Sequence, residues 1–192
     1  GKKELFEGLA IEQLETEWNE HAVLHLDLNA EDYSEIEGLR NGLELQLRSW
    51  EKVYGTSEEG LSYSGRFMQV IKEAYRQTGR GVVVLIDEYD VPLENAYLEG
   101  FYDQMIRFIR SLFESALKTN PYLERSVITG CLRISKESIF TGLNNFDVNS
   151  IVDARYDEHF GFTNQEVLQL LSDLVKQCPI FRRETIRGKL VH

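Results

Sequence analysis

The sequence predicts an α/β fold in which a mostly parallel sheet is flanked by helices. Three observations carry that expectation. Strand-like segments alternate with helical segments of a dozen or more residues, one segment (Val82 to Ile86) is apolar without a break, and the composition can fill a sizeable core. Strands separated by long helices need crossover connections, and these give parallel pairing with both sheet faces covered. A strand buried on both faces reads as a continuous apolar run.

The elements follow in order. Residues 4–18 have a helical pattern broken by Gly8. In residues 22–29, Ala22, Leu24, Leu26 and Leu28 alternate with Val23, His25 and Asp27, the period of a strand with one apolar face. Ile36, Leu39, Leu43, Leu47, Trp50 and Tyr54 step by three and four, as on an amphipathic helix. After the turn-rich residues 55–60, a second helix carries Tyr63, Phe67, Val70, Ile71 and Ala74 and stops at Gly79. Residues 101–118 hold the clearest helical stripe, and Pro121 closes that region. A strand at 126–133 breaks at Gly130, residues 135–146 mix a short helix with a turn, and 150–154 form a short last strand. Thr163 and Glu166 have capping-box spacing, so a helix starts there.

Composition bounds the function. The chain has 192 residues, 42% hydrophobic and 11% aromatic, with a net charge of −11. That charge argues against direct nucleic-acid binding by this segment, because such affinity comes from Lys and Arg neutralising phosphates. Cys131 and Cys178 have no metal-ligand spacing and read as reduced thiols of a cytoplasmic protein. No apolar run is long enough to span a membrane.

The chemistry concentrates at residues 81–90, GVVVLIDEYD, where the apolar strand runs directly into Asp87, Glu88 and Asp90. In open α/β sheets, ligands bind beyond the carboxyl ends of the strands. An aspartate there suits Mg²⁺, which takes hard oxygen ligands and keeps several waters. The adjacent glutamate suits a general base that polarises an attacking water. An ordinary strand ending in an acidic cap for the next element fits the motif alone equally well.

Context separates these readings. VVLIDEYDVPL, SVITGCLRISKESIFTGLNNF and YDEHFGFTNQEV occur in that order. Together they resemble the predicted AAA-ATPase-like family, bacterial proteins related to the AAA+ and STAND P-loop ATPases, over residues 1 to about 175. The resemblance implies a P-loop NTPase-type core over residues 1–160 and the start of a helical lid region over 161–192. It makes residues 84–90 the Walker B segment, with Asp87 organising Mg²⁺ and Glu88 activating water. It makes 126–133 a sensor-like strand, with Thr129 and Arg133 reading the γ-phosphate of ATP. The family often carries a nuclease-like domain in cis, which nothing here matches, and residues 177–192 depart from its pattern as a truncated or frame-altered end would.

One part is missing. No G-x-x-x-x-G-K-[ST] phosphate loop occurs, and Gly1-Lys2-Lys3 lacks both its first glycine and its hydroxyl. The expectation is a fragment that begins after the first strand, the loop and most of the first helix, binding ATP weakly or not at all. A degenerate ATPase serving as a non-hydrolysing interaction or scaffold module is the alternative. Without the first strand the sheet would expose an edge and be prone to associate, a homo-oligomer being one outcome. Asp90 is expected to orient the loop after the strand and Pro92 to be structural. Lys136, Asn144, Asn145, His159, Arg182 and Arg183 read as surface or turn residues, and His25 with Asp27 as a partly exposed strand face.

Overall fold

The computed structural model describes residues 2–29, 32–55, 60–131, 139–140, 143, 146–150, 153, 155 and 161–177. The chain divides into two compact units, residues 1–146 and 147–192. In the first, a 3-10 turn at Lys3–Phe6 and α1 (Ala10–Leu14) are separated around Gly8, whose φ is +79°, so the expected break is present. Then come β1 (Val23–Asp27), α2 (Ile36–Tyr54), α3 (Tyr63–Thr78), β2 (Val82–Asp87), α4 (Val91–Glu99), α5 (Tyr102–Leu117) and β3 (Leu123–Ile128).

Periodicity explains the long helices. α2 buries Ile36, Leu39, Leu43, Leu47 and Trp50, and α3 buries Phe67, Val70, Ile71 and Ala74. Trp50 stacks on Phe67 with ring centroids 5.3 Å apart. Across the same helix pair, Arg66 on α3 grips Glu51 through two bonds of 2.7 and 2.8 Å and also pairs with Glu44. The hydrogen bond from Arg66 is the first cause holding the Glu44 carboxyl below its ordinary range. α3 opens with the Ser62 hydroxyl accepting the Gly65 N–H at 3.2 Å and closes at Gly79, which is left-handed.

Among the described residues the sheet has three parallel strands in the order β1-β2-β3. Leu24 pairs with Val84 and Leu26 with Ile86, and all four are at most 3% exposed. They share one core with the buried stripes of α2, α3 and α5. The opposite face differs from expectation. Val23 is 51% and Val127 44% exposed, while Val83 and Leu85 are only half-buried. The unbroken apolar run therefore faces one dense helical layer, and its second face is open among the described residues.

One element boundary moves and one helix is added. β3 starts at Leu123, three residues before the β-branched run, because Val82 N–H donates to Tyr122 O at 2.8 Å and pairs the strand from there. α4 was not expected at all. Asp90 is its N-cap, Pro92 sits in the first turn where its missing N–H costs nothing, and Gly100 closes it.

Within the second unit, the helix Asn164–Gln177 opens as its capping box requires. Thr163 N–H donates to Glu166 Oε2 at 2.7 Å, and Glu166 N–H donates back to the Thr163 hydroxyl at 3.3 Å. No helix among the described residues is long and apolar enough to cross a membrane.

Candidate functional site

Parallel register brings three chemically useful residues into one row. Asp27 and Asp87 are paired Cα positions at the carboxyl ends of β1 and β2. Thr129 continues the row one residue past β3, where Ile86 pairs with Ile128. All three lie on the open face, at the rim where an open α/β sheet takes its ligand. Asp27 is exposed, and its carboxylate accepts the Asn29 N–H at 2.9 Å.

Thr129 is stitched to the end of β2. Its N–H donates to Ile86 O at 2.9 Å, its carbonyl accepts the Tyr89 N–H at 3.1 Å, and its hydroxyl donates to Asp87 Oδ1. Asp87 Oδ1 also accepts the Glu88 N–H at 3.1 Å. With Oδ1 engaged twice, Oδ2 is the oxygen a cation would take.

Glu88 has φ of +54°, one of three non-glycine residues at positive φ among those described. For a side chain without local hydrogen-bonding compensation this conformation costs about 1–2 kcal/mol. The surroundings hold it there: Tyr89 N–H is bound to Thr129 on one side, and Glu88 O accepts the Val91 N–H at 3.1 Å on the other. Backbone strain of this kind persists where the surroundings over-determine it, and it gathers at functional sites.

Asp90 is 2% exposed, and its carbonyl accepts the N–H groups of Leu93 and Glu94 at 3.0 and 2.8 Å. It stands in the loop after β2 as the N-cap of α4. Sequence reasoning missed two neighbours. Cys131 Sγ lies 3.9 Å from Glu88 Oε2, and the thiol is pushed above its ordinary range, first by the Glu88 carboxylate and then by Asp90. Tyr89 packs its ring edge-on to Phe140 at 5.4 Å, beneath the site. The T-G-C run after the strand was the available signal for Cys131, because it puts the thiol two residues past Thr129. Arg133, Lys136, Asn144, Asn145 and His159 lie outside the described residues.

The donor set fits a hard, incompletely held cation. Among the described residues no three His, Cys, Asp or Glu side chains gather as a closed metal cage. One or two carboxylates, with water and substrate oxygens completing the shell, is how proteins hold Mg²⁺.

The family model described as "Predicted AAA-ATPase" matches residues 1–140. A curated relative from Azotobacter chroococcum mcd 1, described as "Uncharacterized protein in vnfD 5'region", is 29% identical over 190 residues. That alignment takes in 98% of this chain and 36% of the relative, so the chain spans about a third of that protein's length. No solved structure matches the chain. The family match covers well over half of the residues, and the chain belongs to the predicted AAA-ATPase-like family.

Proposed function

We propose that the carboxyl end of β2 is the metal-and-water half of a Mg²⁺-dependent ATP hydrolysis site, residues 84–90 being its Walker B segment. The observation that carries this reading is Glu88. A glutamate at positive φ beside an aspartate, at the carboxyl end of a parallel strand, costs the fold stability, and strain of this kind gathers at functional sites. Bound Mg²⁺ would neutralise charge on the phosphates of ATP. Asp87 would hold the ion, with Oδ2 as the oxygen left by the two bonds to Oδ1. Glu88 accepts a proton from the attacking water as general base. Thr129, bonded to Asp87, is positioned to sense the γ-phosphate, and Arg133 is proposed to share that role.

The phosphate-binding half of such a site needs backbone N–H groups and a lysine in a glycine-rich loop. Residues 1–192 contain no such loop, so in this reading the whole protein supplies it. The open sheet face and the outer edge of β3 are where the additional strand and helix would pack. Coupling to the helical region at Asn164–Gln177, a nuclease-like domain in cis and self-association belong to the same proposal about the whole protein.

A second reading is a non-hydrolysing interaction module that keeps the fold without the loop. ATP hydrolysis by the full-length protein separates the two. The ATPase reading expects Mg²⁺-dependent turnover, an Asp87→Asn variant that needs more Mg²⁺, and a Glu88→Gln variant that still binds nucleotide. A full-length protein with no Mg²⁺-dependent hydrolysis would leave the interaction module standing.

A further inference from the structure

We propose that Gly130 is a positioning residue for Glu88, and this rests on the ATPase reading above. Gly130 is not among the glycines at positive φ, so its backbone conformation does not demand glycine. The demand is for space. A Cβ at this position would stand 2.7 Å from Cε1 and 2.8 Å from Cδ1 of Tyr89, and would also press on Asp90 Oδ1. Carbon atoms in contact sit at about 3.5–4.0 Å.

Neither neighbour has room to yield. Tyr89 is 7% exposed with its ring against Phe140, and Asp90 is 2% exposed at the start of α4. The end of β3 would have to move instead. That end is bonded to Ile86 O, the Tyr89 N–H and Asp87 through Thr129, so its displacement pulls on the peptide joining Glu88 to Tyr89. Glu88 sits in a left-handed well that glutamate seldom occupies, and slackening that peptide lets it relax to an ordinary conformation with its carboxylate elsewhere. The lack of a side chain at Gly130 therefore keeps the end of β3, and with it the strained turn at Glu88, in place.

The experiment measures kcat and KM for Mg·ATP in the full-length protein, with bound nucleotide counted per chain. The set is wild type, Gly130→Ala, Gly130→Ala with Tyr89→Leu, and Glu88→Gln. A misplaced base costs on the order of 10²-fold. Gly130→Ala should lower kcat by about that factor with KM for Mg·ATP changed less than about threefold. Leucine at position 89 removes the ring contact while the one with Asp90 Oδ1 stays, so the double variant should recover part of the loss. An equal loss in the single and double variants, or nucleotide binding that falls in step with rate, would assign Gly130 to the fold and overturn the inference. Hydrolysis that needs Glu88 but is indifferent to Gly130→Ala would overturn it alone. A wild-type protein that does not hydrolyse ATP would bring down the ATPase reading and this inference together.

Discussion

Gly79 and Glu88 bracket β2 with similar positive φ, +67° and +54°. At the amino end, glycine takes the left-handed turn at no steric cost and closes α3, its N–H donating to Tyr75 O at 2.8 Å. At the carboxyl end the chain spends a glutamate on the same turn. One end of the strand is built for the fold alone. The other carries a glutamate at a positive φ that costs stability, a cost that the proposed role of its carboxylate would explain.

Exchanging residues at the two ends is the strongest way to break this contrast. Glu88→Gly should cut turnover by about 10²–10⁴-fold, the usual contribution of a general base. The same variant should gain up to about 1 kcal/mol of stability by relieving the strained turn, or about 2–4 °C in Tm for a chain of this size. Thermal unfolding and steady-state hydrolysis on one preparation test both signs. A Tm that falls would remove the strain from the account.

Gly79→Ala should do the reverse. A Cβ in the left-handed turn costs about 1–2 kcal/mol, and turnover per folded chain should not change. Denaturant unfolding measures the first and nucleotide-normalised rates the second. Thr129→Val removes only the hydroxyl bond to Asp87, keeping the backbone bonds to Ile86 and Tyr89. It should cost about 0.5–1.5 kcal/mol of stability, less than Gly79→Ala at its upper end, with a measurable rise in the Mg²⁺ needed for half-maximal rate.

The smallest expected effect is at Cys131. Glu88 is the first cause raising its thiol, so less thiolate is present at a given pH and alkylation near pH 8 should be slower than for an ordinary exposed cysteine. Glu88→Gln removes that cause and should speed alkylation of Cys131 by a few-fold, read by peptide mapping so that Cys178 is scored separately. Equal rates would mean that the carboxylate does not face the thiol.

Much of this was legible before any geometry. The stripes of α2, α3 and α5 step by three and four around apolar faces that one core later absorbs. Asp87 and Glu88 stood out because a buried strand has no packing reason to run into two carboxylates. α4 was not legible: it has nine residues, and Tyr97 and Leu98 are exposed beside buried Pro92, Leu93 and Ala96, so no stripe shows. The early start of β3 was hidden because Glu124 and Arg125 lie at the sheet margin and stay exposed. The openness of the second sheet face was hidden for another reason, since an apolar run states that a strand can be buried and not what covers it.

The site was legible in its residues and not in its mechanics. Nothing about a glutamate announces a left-handed backbone, and one of the bonds flanking it here comes from Thr129, 41 residues away in the chain. The row of Asp27, Asp87 and Thr129 depends on the register of three strands, which is settled by tertiary pairing. Gly130 read as a strand breaker, and its close fit against Tyr89 and Asp90 exists only once the strands lie side by side.

The most direct test of the central claim is a single-turnover measurement of ATP cleavage by full-length Glu88→Gln at saturating Mg²⁺ and nucleotide. The account predicts that ATP remains bound and uncleaved, with the chemical step slowed by about 10²–10⁴-fold. Cleavage at the wild-type rate would contradict it.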